Sequence, residues 1–265
     1  MTAKPGSGQL RSIALRLQLI APQHAAGYAG GMATAASTEE PAARRPRRRW
    51  WRIAARVLLV LVLIPLVLVP VYWVVPPVST LMIYDRLFGP VSRTWVPLER
   101  MAPSLPASVV MSEDGKFCDH WGVDWGELTK VIDRRNGPNR GASTVTMQVV
   151  KNLFLWTSRS YIRKGLEIPL ALYADLVWSK RRTMEIYLNI VEWGPGIFGA
   201  EAAAQRYSKR SAKDLTAQQS ALLVAALPNP IDRNPAKPSR FMRIRAQVIA
   251  TQARAAGAYI NCLGL

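Results

Sequence analysis

Residues 112–125 read SEDGKFCDHWGVDW, and the placing of Glu113 within them governs how the rest of the chain is read. A helix capped by Ser104 and running to about Phe117 puts Val109, Glu113 and Phe117 on one face at four-residue intervals, with Val110 three before Glu113. A carboxylate among such neighbours loses hydration, which raises its pKa towards the range useful for proton transfer. A lone glutamate at that spacing is more often an ordinary, partly exposed residue. Its meaning therefore depends on its company.

Upstream, residues 1–43 are rich in Ala, Gly, Ser, Thr and Pro and read as a disordered cytoplasmic tail. Residues 44–56, RRPRRRWWRIAAR, form a basic juxtamembrane segment with seven arginines. Residues 57–75 follow, nineteen in a row without a charge. As a helix they reach about 28 Å, close to the hydrocarbon thickness of a bilayer. Pro65 and Pro70 are tolerated in such a span, and Trp50, Trp51, Tyr72 and Trp73 supply aromatic belts. A cleavable signal peptide fits less well, because the run is long, starts far from the N-terminus and has no small-residue cleavage site after it. Only Arg86 and Arg93 fall within twenty residues beyond the span, so the arginine bias places the N-terminus in the cytoplasm and residues 76–265 in the periplasm.

The net charge of +18 divides into +8 for residues 1–56 (ten Lys and Arg, two acidic) and +10 for the remainder (twenty-five and fifteen). The outer part is thus basic in its own right. No nucleic acid is expected there; anionic headgroups and phosphate-bearing substrates are the natural counterparts. Cys118 and Cys262 pair or stay free, and the sequence does not decide between them.

Residues 76–108 are punctuated by proline and read as a stalk or jaw, with an apolar stretch at 81–84. Residues 109–265 read as one mainly α domain. Its helices are expected near 105–117, 124–134, 143–154, 160–178, 180–191, 197–207, 214–227 and 239–256, with little strand-like alternation. Tyr187, Leu188 and Phe198 read as core, and Gly194, Gly196 and Gly199 as turn residues.

His120 is the only histidine beyond the tail, which argues against multi-histidine metal sites and a Ser-His-Asp triad. Ser-x-x-Lys occurs nowhere, so an acylating serine of the penicillin-binding type is excluded. Carboxylates and cations remain. In residues 141–155, GASTVTMQVVKNLFL, Ser143 and Thr144 open a helix whose free N–H groups suit an anion, and Gln148, Lys151 and Asn152 share one face. In RSYIRKGLEIPLAL, Arg163 and Glu167 stand four apart. As an exposed pair they contribute about 0.3–0.5 kcal/mol; in a cleft they form a second acid beside a cation.

Taken in order, these segments resemble the peptidoglycan glycosyltransferases of glycosyltransferase family 51 in their monofunctional, single-pass form. The likeness rests on Glu113, Asp114, Phe117, His120 and Gly122, then on Gly141, Ser143, Thr144, Gln148, Lys151 and Asn152. It continues through Arg163, Lys164 and Glu167 to Glu185, Tyr187, Leu188 and Asn189. Met147 departs from the family pattern, which often has a second glutamine there. The resemblance implies a lysozyme-like helical lobe with a small membrane-proximal jaw. It implies polymerisation of lipid II into β-1,4 glycan with inversion and release of undecaprenyl diphosphate.

In that scheme Glu113 is the catalytic base, and Glu167, the second catalytic carboxylate, helps hold the diphosphate-binding cations or orients the substrate. Asp114, Phe117, His120, Ser143, Thr144, Gln148, Lys151, Asn152, Arg163 and Lys164 are the expected substrate-binding set. No metal ligand set is recognisable, although a divalent cation (Mg²⁺ or Mn²⁺) bridging the diphosphate near Asp114 or Glu167 is compatible with the chemistry. Expected partners are lipid II, the growing glycan strand, membrane lipids, and other cell-wall synthases or division proteins. The rivals are a lysozyme-like lytic enzyme, which has no need of clustered cations, and an inactive membrane-anchored scaffold.

Overall fold

The computed structural model describes residues 47–132, 143–156, 158 and 160–265. The tail at 1–43 and Gly141 lie outside them. Helix α1 (Arg47–Val71) contains Pro65 and Pro70, and it is long and apolar enough to cross a bilayer. Nearly all its side chains are exposed, apart from a few near its C-terminal end such as Val69. Pro70 has no N–H to offer the carbonyl four residues back, at Leu66. The Tyr173 hydroxyl donates to that Leu66 oxygen at 2.9 Å, and the Trp178 indole N–H donates to the Val69 oxygen at 2.7 Å. Proline thus leaves an open acceptor, and an aromatic from the body fills it.

The body has α2 (Thr80–Phe88), β1 (Ser92–Arg93), α3 (Ser104–Glu113), α4 (Trp125–Ile132), α5 (Val145–Phe154), α6 (Tyr161–Val177) and α7 (Lys180–Ile190). It continues through β2 (Glu192–Gly194), β3 (Ile197–Phe198), α8 (Ala200–Ser208), α9 (Ala217–Ala226) and α10 (Arg240–Arg254). It is mainly α, as expected. Helices α3, α9 and α10 pack together, α5 packs on α6 and α7, and α1 runs beside α6. The starts of α5, α6, α7, α9 and α10 are fixed by Thr144, Ser160, Ser179, Thr216 and Ser239, whose hydroxyls accept from N–H groups of the first turn.

Three expectations change. Pro103, not Ser104, holds the cap position of α3, and the helix ends at Glu113 instead of Phe117. The helix expected from 197 begins at Ala200, because 197–198 form β3 and Gly199 caps α8 at a φ of 81°. A small sheet exists, ordered β1-β3-β2, with β1 parallel and β2 antiparallel to β3. Strands of two or three residues are too short to show alternation.

Residues 76–108, read as a stalk or jaw, are pinned to the body. The Asn189 side chain accepts from Val96 N at 2.9 Å and donates to Val96 O at 2.8 Å, and Glu185 accepts from Leu98 N at 3.0 Å. Trp193, Tyr187, Phe117 and Phe198 are the largest buried side chains of the core, each contributing about 1.5–3 kcal/mol by leaving water. Cys118 and Cys262 form a disulfide with Cα atoms 5.6 Å apart, which settles the question the sequence left open.

Candidate active site

Helix α3 stops where Asp114 leaves helical geometry, so Glu113 is its last residue. Phe117 reaches the core from the turn that follows, its N–H bonded to Asp114 O at 3.0 Å. The one-face spacing is therefore not the reason that Glu113 is desolvated. The observed shell is polar but uncharged at close range. Ser112 Oγ donates to Glu113 Oε1 at 3.2 Å, and Gln148 Nε2 donates to Oε2 at 3.4 Å. The Tyr187 hydroxyl in turn donates to Gln148 Oε1 at 3.2 Å. Burial pushes the Glu113 carboxyl up, and Asp114 adds to the rise; the Gln148 and Ser112 hydrogen bonds and the Arg245 charge oppose it. This is the electrostatic setting of a proton acceptor.

Asp114 faces the other way and is 7% exposed. His120 Nε2 lies 3.0 and 3.1 Å from its two oxygens, and Val145 N donates to Oδ2 at 2.8 Å. It ties the loop after α3 to the start of α5. Gly122 lets that loop lie against α6: its φ is 72°, and a Cβ there would sit 2.5 Å from the Ala171 carbonyl oxygen. Thr144 Oγ1 donates to Gly122 O at 2.6 Å. Lys180 pairs with Asp175 at 2.8 Å and also donates to the His120 carbonyl. Phe117 and Thr144 are buried and support the loop from within.

The second carboxylate, Glu167, is 2% exposed. Arg163 Nη1 contacts its Oε1, and Lys164 Nζ lies 3.1 Å from Oε2. Lys164 also donates to Ser143 Oγ and sits 4.0 Å from the Met147 sulfur, so methionine fills the place of the absent amide with a thioether. Arg163 and Glu167 are therefore not an exposed helix pair but a buried cluster. Lys151 joins it. Burial lowers its ammonium pKa, Glu167 draws it up, and Arg163 and Lys164 push it down. Among the described residues Lys151 has no ion-pair partner within 4.0 Å. The side-chain amide of Asn152 makes no hydrogen bond among the described residues, whereas its backbone carbonyl accepts from Thr80 Oγ1 at 3.0 Å.

Helix α5 joins the two centres. Gln148 reaches Glu113, and Lys151, three residues on along the same face, reaches the field of Glu167. Arg245 was not legible in the sequence: its Nη2 donates to Ser112 Oγ at 3.3 Å across 133 residues. Tyr187 was legible only as core, and its hydroxyl role depends on where α5 lies.

Neither carboxylate suits a divalent ion. Both oxygens of Asp114 and both of Glu167 are occupied by N–H or cationic partners, and among the described residues no three His, Cys, Asp or Glu side chains converge.

Residues 82–254 match the family profile described as Transglycosylase. The chain belongs to the transglycosylase family. Three relatives named biosynthetic peptidoglycan transglycosylase agree with this. The protein of Brucella suis biovar 1 (strain 1330) is 58% identical over 216 residues, covering 80% of this chain and 96% of the relative. That of Agrobacterium fabrum (strain C58 / ATCC 33970) is 53% identical over 211 residues, 78% of this chain and 93% of its own. That of Rhizobium meliloti (strain 1021) is 50% identical over 222 residues, with 80% and 94% covered. The transglycosylase profile spans both carboxylate centres and α5 between them.

Proposed function

We propose that this chain is a peptidoglycan glycosyltransferase that polymerises lipid II, with Glu113 as general base and the Lys151/Arg163/Lys164 group as the diphosphate site. The observation that carries the reading is that α5 bridges a desolvated carboxylate and a partly buried cation cluster: its Gln148 bonds Glu113 at the end of α3, and its Lys151 lies in the field of Arg163, Lys164 and Glu167 on α6. The sugar 4-hydroxyl of the acceptor is too weak an acid to attack unaided, so Glu113 takes its proton as the oxygen bonds to the donor C1. The C1–O bond to the diphosphate breaks, and its electron pair leaves on a weakly basic phosphate that needs positive charge more than a proton. Attack from the face opposite the leaving group turns an α-linked donor into a β-1,4 product. Glu167 holds Arg163 and Lys164 in place; Asp114 and His120 position the loop behind Glu113.

The proposal places residues 76–265 in the periplasm and the N-terminus in the cytoplasm. The arginine asymmetry around α1 and the Cys118–Cys262 disulfide, at home in an oxidising compartment, support that orientation. Exposed Ile83, Leu87 and Phe88 on α2 and Ile162, Leu166 and Leu176 on α6, the helix beside α1, suit contact with membrane lipid.

The test is polymer formation from purified lipid II by the detergent-solubilised full chain, with Glu113→Gln alongside. Glycan polymer from wild type and near-complete loss in a folded Glu113→Gln protein is the expected result. Release of sugars from preformed glycan without polymer formation would overturn the proposal in favour of a lytic enzyme.

A further inference from the structure

A cavity of about 370 Å³ opens between the loop after α3 and the start of α4, outside both carboxylate centres. Its walls include Lys116, Asp119, His120, Trp121, Asp124 and Trp125. Trp121 is 74% exposed and Trp125 53% exposed, although each indole would gain by leaving water. Membrane does not explain them. Asp119, Asp124 and Glu127 stand in the same segment, and carboxylates are costly in hydrocarbon. The combination of flat aromatic faces with a few carboxylate and ammonium groups suits a ligand with apolar faces and a rim of hydroxyls and amides.

His120 links this cavity to the reaction. Its Nε2 is held by Asp114, the residue next to Glu113, while its buried Nδ1 has no partner among the described residues. A buried ring nitrogen without a partner is unfavourable, and a ligand hydroxyl or a bridging water would satisfy it.

We propose that this cavity binds a saccharide of the growing glycan strand, beyond the pair of sugars that react. The inference rests on the polymerase reading and adds a strand-holding subsite to it. A hold on already-formed glycan slows release of the strand without touching the chemical step, so its signature is strand length.

The experiment uses the detergent-solubilised full chain with two readouts. The first is tryptophan fluorescence titrated with a peptide-free oligosaccharide of alternating N-acetylglucosamine and N-acetylmuramic acid. The second is the length of strands made from lipid II, beside the rate of the first coupling. Trp121→Ala and Trp125→Ala are compared with wild type, with Asp119→Asn as a variant that leaves the aromatics in place. Wild type is expected to bind the oligosaccharide. The tryptophan variants should bind at least tenfold more weakly and make strands several-fold shorter, with the first coupling within twofold of wild type. Asp119→Asn should shorten strands to a lesser degree. Unchanged strand length in both tryptophan variants, or binding by wild type of peptide-bearing glycan only, would overturn the subsite. Failure of wild type to polymerise at all would instead overturn the polymerase reading beneath it.

Discussion

Glu113 and Glu167 are the same residue type, both withdrawn from water, and their surroundings diverge completely. Glu113 ends a helix and receives hydrogen bonds from an amide and a hydroxyl, while its guanidinium neighbour, Arg245, bonds Ser112 and reaches the carboxylate only by its charge. Glu167 sits mid-helix and is saturated by Arg163 and Lys164. Neutral donors leave a buried carboxylate basic enough to take a proton, whereas contact cations make it a counterion that organises positive charge. In the proposed mechanism the two glutamates therefore do two jobs, and the difference lies in their partners.

The comparison breaks most sharply at Glu113. Glu113→Gln keeps the shape and the Ser112 contact but cannot accept a proton. The expected loss of polymerisation is about 10²- to 10⁴-fold, roughly 3–5 kcal/mol of barrier. Thermal unfolding should be near wild type, since a buried neutral amide replaces a carboxylate already disfavoured as an anion. A variant retaining more than a tenth of wild-type activity would remove Glu113 from the role of base.

The Glu113 side is also the one stapled by the disulfide. Cys118 lies between Phe117 and His120, and its partner is 144 residues away. Closing so long a loop is expected to contribute about 2–5 kcal/mol, chiefly by restricting the unfolded chain. Cys118→Ala or Cys262→Ala should lower the melting temperature accordingly. The residual activity of the folded fraction should fall in step with the Glu113 loop, and the affinity of the cation cluster for a diphosphate probe should stay unchanged. Equal loss at both centres would mean that the staple serves the body as a whole.

Sequence reading reached one centre more fully than the other. The Glu167 cluster is local: Arg163, Lys164 and Glu167 fall on one turn-and-a-bit of α6, so spacing alone brings them together. Most helix starts were legible for the same reason, because Ser160, Ser179 and Ser239 cap within their own segments. The Glu113 centre is assembled from α3, α5, α7 and α10, so Gln148, Tyr187 and Arg245 meet only after folding. The short strands escaped for want of length, and the clamp of Asn189 on Val96 for want of proximity in sequence.

Glu167→Gln tests the counterion side. It leaves Arg163 and Lys164 beside a neutral amide, with one acceptor oxygen where there were two and an NH2 donor in place of the other. Both cations retain some water, so the expected cost is about 1–3 kcal/mol of stability. Activity should drop roughly ten- to a hundredfold, expressed in weaker binding of the donor diphosphate, as expected for displaced cations. A change confined to the pH dependence, with donor affinity intact, would instead make Glu167 a proton carrier and erase the contrast with Glu113.

The smallest expected effect sharpens the contrast most, because it alters the field at Glu113 without altering Glu113. Asp114, Gln148, Ser112 and Arg245 act on this carboxyl, and Arg245 is the only cation among them. Its positive charge favours the ionised form, so Arg245→Ala should raise the Glu113 pKa further above the ordinary carboxylate value. Glu113 acts as a base only when ionised. The acid limb of the rate profile should therefore move to higher pH. The alkaline limb should stay where it is if it reports loss of the Lys151 ammonium, whose pKa burial lowers. Arg245→Lys keeps the charge and should return most of the acid limb while losing the guanidinium hydrogen bond to Ser112. A lowered plateau with an unmoved acid limb would show that Arg245 only braces α10 against α3. The basicity of Glu113 would then come from burial and its neutral donors alone.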